Sequence, residues 1–257
     1  MEEPDKNRDF VASFARGLAV IQAFGPQARS MTLSEVAERT GLSRAAARRL
    51  LLTLCSLGFA RSEGNRFELT PKILSLGYAY LASLGFWETA RPFIEEVTEK
   101  LDESCSAAVL DESMVVYVAR SAARHRIMSV ALHVGTRLPA HATSMGQVLL
   151  AALEPDRLEA YLDSAPLQRH TRHTITDPEE LRRRLEKVRD QGHALVDQEL
   201  EEGLRSIAVP IRSNAGITFA ALNVSSHAHL VGRTTMLRKF LPALKTAAHK
   251  IATHRIA

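Results

Sequence analysis

Residues 32–70 contain an ordered series of helix ends, a short corner and a hairpin that restricts what this chain can fold into. Thr32-Leu33-Ser34-Glu35 has the spacing of a capping box, in which the Thr hydroxyl and the Glu carboxylate each satisfy a backbone amide at a helix start. The helix is predicted to end at Gly41, because glycine tolerates the left-handed conformation common at helix C-termini. Ser43 is predicted to cap a second helix over residues 44–57. Two helices joined by a short glycine-containing corner are typical of a helix-turn-helix.

The second helix divides into an apolar and a cationic face when its residues are placed at about 100° each. Arg44, Ala45 and Arg48 fall on the cationic face, where small and basic side chains suit a helix in a DNA major groove. Arg49 lies near the boundary, so it could contact DNA or hold one helix to another. The apolar face is predicted to contain Ala46, Ala47, Leu50, Leu54 and Leu57, whereas Leu51 and Leu52 lie away from it.

A hairpin is predicted over residues 59–69 around Glu63-Gly64-Asn65, with Phe59, Phe67 and Leu69 inward and Arg61, Arg66 and Glu68 outward. Six arginines and one acid, Glu63, lie between positions 39 and 66. Such a local excess of positive charge is expected of a phosphate-binding surface. The alternative is a plain helical hairpin with a solvated basic face. We predict DNA binding, by Thr32, Ser43, Arg44, Ala45, Arg48, Arg49, Arg61, Asn65 and Arg66.

The rest of the chain predicts a two-domain α+β protein: a winged helix-turn-helix domain over residues 10–70, a linker helix over 71–85 and a C-terminal α/β domain over 86–257. A first helix is predicted over 12–24, with an apolar stripe of Phe14, Leu18, Ile21 and Phe24. In the second domain we predict helices at 87–101, 144–153, 155–162, 178–191 and 234–254, a loop at 135–141, and strands at 106–110, 115–119, 127–132, 193–197, 207–211 and 219–225.

Composition argues for a folded cytoplasmic protein. No apolar run reaches the roughly 18–20 residues that cross a bilayer, and the polar, acidic N-terminus does not resemble a signal peptide. Cys55 and Cys105 lie in separate apolar stretches and are predicted to be buried thiols rather than a disulfide or metal site. No membrane partner and no cofactor are expected.

Several longer runs resemble the IclR family of bacterial transcriptional regulators over nearly the whole chain. In the first domain these are residues 33–37, 41–43, 49–51, 69–71 and 76–77; in the second they are 139–146 and 203–210. Residues 13–18 and 197–206 are similar to the subgroup that controls catabolism of protocatechuate, hydroxybenzoate and β-ketoadipate. Relatives often carry Ser or Thr near Ala45 and Ala46, so this operator need not match theirs.

The resemblance implies a winged DNA-binding domain, a linker helix used in dimerisation, and a C-terminal effector-binding domain. It implies homodimers or dimers of dimers that bind double-stranded operator DNA and a small carboxylate or aromatic acid. Asn223 stands where relatives often have Ser, and Asp197 would repel a carboxylate, so Asp197 could instead orient another group or accept from a ligand hydroxyl. By residue matching, the effector site would contain Met145, Gly146, Asp197, Ser206, Asn223 and Ser225.

Three other functions remain open from the sequence. A hydrolase could use Ser144, His141 and Asp197, although the chain has no G-x-S-x-G motif. His227 and His229 could form a metal pair on one strand face, but no further Cys or His ligands are spaced nearby, and we predict no metal. A regulator could also act by oligomerisation alone, without a small molecule.

Overall fold

A computed structural model describes residues 9–25, 27–77, 87–123 and 132–254. These residues fall into two compact units, one within residues 1–80 and one within 81–257. The predicted strand at 127–132, apart from its last residue, and most of the predicted linker helix lie outside the described residues.

Before residue 70, the described part of the N-terminal unit contains three helices and a three-stranded sheet. The helices are α1 (Ala12–Gln22), α2 (Leu33–Thr40) and α3 (Arg44–Ser56), and the strands are β1 (Ser30–Thr32), β2 (Ala60–Glu63) and β3 (Arg66–Leu69). The sheet order is β1-β3-β2 and both pairings are antiparallel. Thr70 leads into a short 3-10 turn at Pro71–Ile73, and residues 74–77 are helical.

The predicted capping box, the end of α2 and the hairpin turn are confirmed in this unit. The Thr32 hydroxyl accepts from the Glu35 amide at 3.3 Å, while the Glu35 carboxylate accepts from the Thr32 amide at 2.6 Å. Gly41 ends α2 with φ of 66°, in the left-handed region. Gly64 has φ of 60° in the two-residue turn between β2 and β3, as a tight hairpin turn requires. Strand β1 was not predicted.

The buried faces of α3 and α1 differ from the predicted ones. Leu51 is fully buried, whereas Leu57 is 53% exposed, so the buried face of α3 is centred on Ala47, Leu51 and Leu54. The predicted stripe of α1 is also wrong in part, because Phe14 and Leu18 are exposed. The residue of α1 that enters the core is Val20, which lies between the predicted stripe positions.

The C-terminal unit places helices on both faces of one sheet. Its helices are α4 (Trp87–Leu101), α5 (Ser144–Ala151), α6 (Pro155–Ser164) and α7 (Pro178–Gln191), followed by a turn at Arg233–Thr235, a π-helical turn at Met236–Phe240 and α8 (Leu241–Thr253). Its strands are β4 (Ser104–Asp111), β5 (Met114–Ser121), β6 (Arg137–Pro139), β7 (Ala194–Asp197), β8 (Leu204–Arg212) and β9 (Thr218–His227).

The six strands form an antiparallel sheet in the order β6-β5-β4-β9-β8-β7. One face packs against α4 and α8 and the other against α5, α6 and α7, giving two separate hydrophobic clusters. The predicted α+β class is confirmed. The predicted loop at 135–141 is wrong in part, because β6 lies within it and pairs with β5. No helix among the described residues is long and apolar enough to cross a membrane.

Candidate functional site

The outer face of α3 carries cationic side chains that form no contact with charged or polar groups elsewhere in the described part of the chain. The Ser43 hydroxyl caps α3 by accepting from the Ala46 amide at 3.2 Å. Arg44, Ala45 and Arg48 follow on the exposed side. Within the described ranges, neither arginine side chain forms a hydrogen bond or an ion pair. Both guanidinium groups can therefore reach phosphates or guanine edges without breaking an existing contact.

Arg49 is exposed as well, and its side chain does not bridge two helices among the residues that the structure describes. The arginine that does so is Arg39, whose Nη1 donates to the Ala23 carbonyl at 2.9 Å and joins α2 to the end of α1. The sequence left two roles open for Arg49, and its exposure is compatible with a contact to DNA.

The arginines of the hairpin form contacts within the N-terminal unit. Arg66 donates from Nε to the Ser30 hydroxyl at 3.1 Å and from a terminal nitrogen to the Ser30 carbonyl at 2.6 Å, which holds β1 to β3. Arg61 pairs with Glu68 at 2.8 Å, and its hydrogen bond lowers the pKa of that carboxyl. Asn65 is exposed at the turn. Arg29, which we did not predict, is a further exposed cation close enough to Glu68 to lower its pKa.

A polar cluster lies on the α5 side of the C-terminal sheet, where an apolar layer would be expected. Arg120, Ser106 and Asn223 are directly paired across β5, β4 and β9. Ser104, Ser225 and Ser206 are paired in the same way across β4, β9 and β8. Because directly paired residues share a sheet face, these six side chains form one surface. We call it the interior polar cluster.

Two buried polar atoms at this cluster have no partner among the described residues. They are the Asn223 Oδ1 atom and the Ser144 hydroxyl, on side chains that are 4% and 1% exposed. A buried polar atom without a hydrogen bond costs about 1–3 kcal/mol, so such atoms call for an explanation. Both border a cavity of about 10 Å³, the size of a single water-sized sphere. A ring-bearing ligand would require the lining side chains to move.

The structure brings together only part of the predicted effector site. Ser206, Asn223 and Ser225 line the cavity, together with Thr143 and Tyr117, which we did not predict. Met145 is buried in the hydrophobic cluster on this side of the sheet. Gly146 lies against the Ala140 backbone, where a Cβ atom would stand 2.1 Å from the Ala140 carbonyl oxygen. Met145 and Gly146 do not line the cavity.

Asp197 points to the other side of the sheet. It is paired with Arg205, and the neighbouring pair Val196 and Ser206 faces the cavity. Its two carboxylate oxygens accept from Arg205 at 3.0 Å each, and Arg205 also donates to the carbonyls of Ala228 and Val231. Asp197 therefore forms an ion pair with Arg205 at the edge of the sheet.

Comparison with known proteins decides the family. A family described as "Bacterial transcriptional regulator IclR C-terminal" matches residues 78–253, and one described as "IclR helix-turn-helix domain" matches residues 13–64. The chain belongs to the IclR family of bacterial transcriptional regulators. Its DNA-binding, transcription-regulating role, predicted from the helix-turn-helix pattern, is thereby confirmed.

Relatives within the IclR family are similar over nearly the full chain. The Pca regulon regulatory protein of Pseudomonas putida is 47% identical, covering 95% of this chain and 84% of that protein. The p-hydroxybenzoate hydroxylase transcriptional activator of Acinetobacter baylyi is 37% identical, covering 97% and 93%. The crystal structure of an IclR homolog complexed with 4-hydroxybenzoate, from Microbacterium hydrocarbonoxydans, superposes with a TM-score of 0.83 at 29% identity, covering 94% and 98%.

The residues considered for catalysis do not form a triad in this IclR-family chain. Burial lowers the pKa of His141, and its Nε2 lies 3.0 Å from the Gln168 carbonyl. Asp197 is bound to Arg205, and the Ser144 hydroxyl has no partner in the described part of the chain. The relatives above are named as regulators rather than enzymes.

The histidine pair also differs from its prediction. His227 is the last residue of β9, whereas His229 lies in the following turn, so the two do not share a strand face. Among the residues that the structure describes, no three His, Cys, Asp or Glu side chains are grouped to hold a metal ion.

Larger clefts exist elsewhere in the C-terminal unit. One of about 590 Å³ lies between the end of α5 and the β8–β9 turn, and Arg189 at its edge already donates to the Ala151 carbonyl at 2.7 Å. Neither of the two unpartnered atoms at the interior polar cluster belongs to a residue that lines this cleft. The interior polar cluster is therefore the better candidate for ligand recognition.

Proposed function

We propose that this chain is a ligand-responsive regulator of aromatic-acid catabolism genes, and that the C-terminal unit binds a hydroxybenzoate-type acid at the interior polar cluster. The observation that carries the proposal is the pair of unpartnered buried atoms, Asn223 Oδ1 and Ser144 Oγ, beside a row of hydroxyl groups. The names of the two similar regulators and the 4-hydroxybenzoate complex of the Microbacterium homolog support this ligand class.

The site proposed for the ligand combines observed and matched residues. Ser206, Asn223 and Ser225 offer hydrogen-bonding groups at the cavity, and Met145 would supply an adaptable apolar wall when the cavity widens. Gly146 and Asp197 act indirectly in this proposal, by allowing close helix packing and by fixing the sheet edge. Binding shifts the population of conformations only to the extent that the ligand prefers one of them.

The regulator is proposed to act in the cytoplasm on double-stranded DNA, as a homodimer or as a dimer of dimers. Large apolar side chains in the first helix and just before it support a contact with a second copy: Phe10, Val11, Phe14 and Leu18 are all at least 40% exposed. Exposed apolar patches of this kind mark interaction surfaces. A dimer also presents two recognition helices to two half-sites.

A salt-resolved DNA-binding assay tests the proposal. The full chain is titrated with DNA from upstream of its own gene and with random DNA, with and without 4-hydroxybenzoate or protocatechuate. We expect preference for the upstream DNA, altered by at least one acid. Arg44→Ala or Arg48→Ala should weaken binding and reduce the salt dependence by the equivalent of about one phosphate contact.

Arg91→Ala provides a matched control, because Arg91 is an exposed arginine of α4 in the other unit. DNA binding of wild-type strength in Arg44→Ala and Arg48→Ala would refute the assignment of this surface. Equal binding of upstream and random DNA at physiological salt would refute sequence-specific recognition of the upstream DNA. Preference for upstream DNA that no aromatic acid alters would instead favour regulation by oligomerisation alone.

A further inference from the structure

Arg120 carries a charge that the described part of the chain does not neutralise. Its two terminal nitrogens donate to the hydroxyl groups of Ser106 at 3.1 Å and Ser104 at 3.2 Å. No carboxylate among the described residues forms an ion pair with it. The Arg120 side chain is partly buried, and its desolvation lowers the pKa of the guanidinium. A partly buried cation without an anion is costly, so this arrangement suits an anionic ligand.

The hydroxyl partners also orient Arg120. The two serines stand two positions apart on β4, so their side chains lie on the same face and hold both ends of the guanidinium fork. A serine hydroxyl that accepts from Arg120 can also donate to a carboxylate. The guanidinium fork itself matches the two oxygens of a carboxylate better than an ammonium group would.

The position of Arg120 relative to Asn223 restricts the ligand further. The two residues are paired with Ser106 from opposite sides, so two strand spacings, about 10 Å in total, separate their backbones. Tyr117 lies near Arg120 and also lines the cavity beside Asn223. An anionic group at Arg120 and a hydrogen-bond donor at Asn223 Oδ1 would therefore lie at opposite ends of one flat molecule.

We infer that Arg120 binds the carboxylate of the effector, oriented by Ser104 and Ser106, with the rest of the ligand directed towards Asn223. This inference rests on the proposed function and identifies the group that would select acids over neutral aromatic compounds. Arg120 was not among the residues predicted from the sequence, and it does not itself line the cavity, although Tyr117 on the same strand does.

The test compares two ligands of the same shape and different charge. The full chain and its variants are titrated calorimetrically with 4-hydroxybenzoate and with uncharged 4-hydroxybenzamide. We expect the wild-type protein to prefer the acid. Arg120→Gln should weaken binding of the acid by about 10- to 100-fold, as expected for loss of a charged hydrogen-bonding partner, and leave binding of the amide nearly unchanged.

Two further variants control for charge and folding. Arg120→Lys keeps the positive charge but loses the two-pronged guanidinium group. Its affinity for the acid should therefore lie between those of the wild-type protein and Arg120→Gln. Arg137→Gln makes the same chemical change in β6, where the arginine pairs with Asp111, and should keep the preference for the acid. Thermal melting and binding of upstream DNA without ligand establish that each variant is folded.

The outcomes separate this inference from the proposed function. If the wild-type protein prefers the acid and Arg120→Gln keeps that preference, the role of Arg120 is refuted while the proposed function stands. If Arg120→Gln does not fold, the decision rests on Arg120→Lys. An affinity for the acid equal to that of the wild-type protein would then refute the contact between the Arg120 guanidinium and the carboxylate. If the wild-type protein binds neither compound, both the ligand class and the role of Arg120 are refuted.

Discussion

Gly146 lies so close to Ala140 that a Cβ atom on residue 146 would stand 2.1 Å from the Ala140 carbonyl oxygen and 2.4 Å from its Cα atom. The contact is between two stretches of backbone, so side-chain rotation cannot relieve it. Every residue of α5 is buried, which leaves the helix little room to shift. Glycine at this position therefore allows α5 to pack beside the polar cluster.

We expect Gly146→Ala to destabilise the C-terminal unit by about 1–3 kcal/mol, because the added methyl group overpacks the interior. Thermal unfolding followed by far-ultraviolet circular dichroism measures the effect, because both units contain helices. Gly17→Ala is the matched control. A Cβ atom at position 17 would meet only Leu50 at 3.9 Å, and alanine should stabilise α1 by about 0.5–1 kcal/mol. Equal melting of wild-type protein and Gly146→Ala would contradict the packing role.

Glu199 should make the C-terminal unit less stable as pH rises. Burial raises the pKa of this carboxyl to about 7, although Arg184 and Gln147 favour the charged form. In the unfolded chain the pKa returns to its ordinary value of 4.5. The stabilising contribution is therefore complete below pH 4.5 and is lost as pH rises towards 7. The difference between the two pKa values corresponds to about 3 kcal/mol in the free energy of unfolding.

The measurement compares the free energy of unfolding of wild-type protein and Glu199→Gln between about pH 5 and pH 8. The stability of the wild-type protein relative to this variant should fall across that range. Glu159→Gln is the control, because Arg182 lowers the pKa of Glu159 and its contribution is lost only as pH falls below the ordinary value. A pH-independent difference between wild-type protein and Glu199→Gln would show that Glu199 is ionised throughout.

Local signals in the sequence predicted the helix ends well, because capping depends on a few neighbouring residues. Thr32, Glu35, Gly41 and Ser43 act as their spacing indicates. The buried faces of the helices were predicted less well. Leu51 enters the core where Leu57 was expected, since the packing of α1 and the hairpin decides which side of α3 is covered.

The proposed ligand site also combines residues that the sequence could identify with one that only the strand pairing reveals. Ser206, Asn223 and Ser225 were found by resemblance and do line the cavity. The position of Arg120 depends on the register that pairs it with Ser106 across two strands, which periodicity within one strand does not reveal. The alternating Ser104 and Ser106 in an apolar strand were the available signal for a polar surface there.

The exposed apolar residues of α1 predict a contact between two copies of the chain. Phe14 is 68% exposed, and burying such a side chain contributes about 1.5–3 kcal/mol. Phe14→Ser should therefore weaken dimerisation by about tenfold or more, as measured by sedimentation velocity over a concentration series. Ile217→Ser is the matched control, because Ile217 is 67% exposed before β9 in the other unit. Unchanged sedimentation of Phe14→Ser would exclude this helix from the dimer contact.

Asn223 should select ligands that carry a hydroxyl group. Its Nδ2 atom donates to the Ser225 hydroxyl at 3.2 Å, while its buried Oδ1 has no partner among the described residues. A ligand hydroxyl that donates to Oδ1 would satisfy it, and benzoate has no such donor. We expect the wild-type protein to bind 4-hydroxybenzoate about tenfold more tightly than benzoate, and Asn223→Ala to bind the two nearly equally. Asn214→Ala, at the exposed β8–β9 turn, should keep the wild-type ratio. Calorimetric titration measures both affinities, and a ratio that Asn223→Ala leaves unchanged would mean that the ligand hydroxyl contacts another residue.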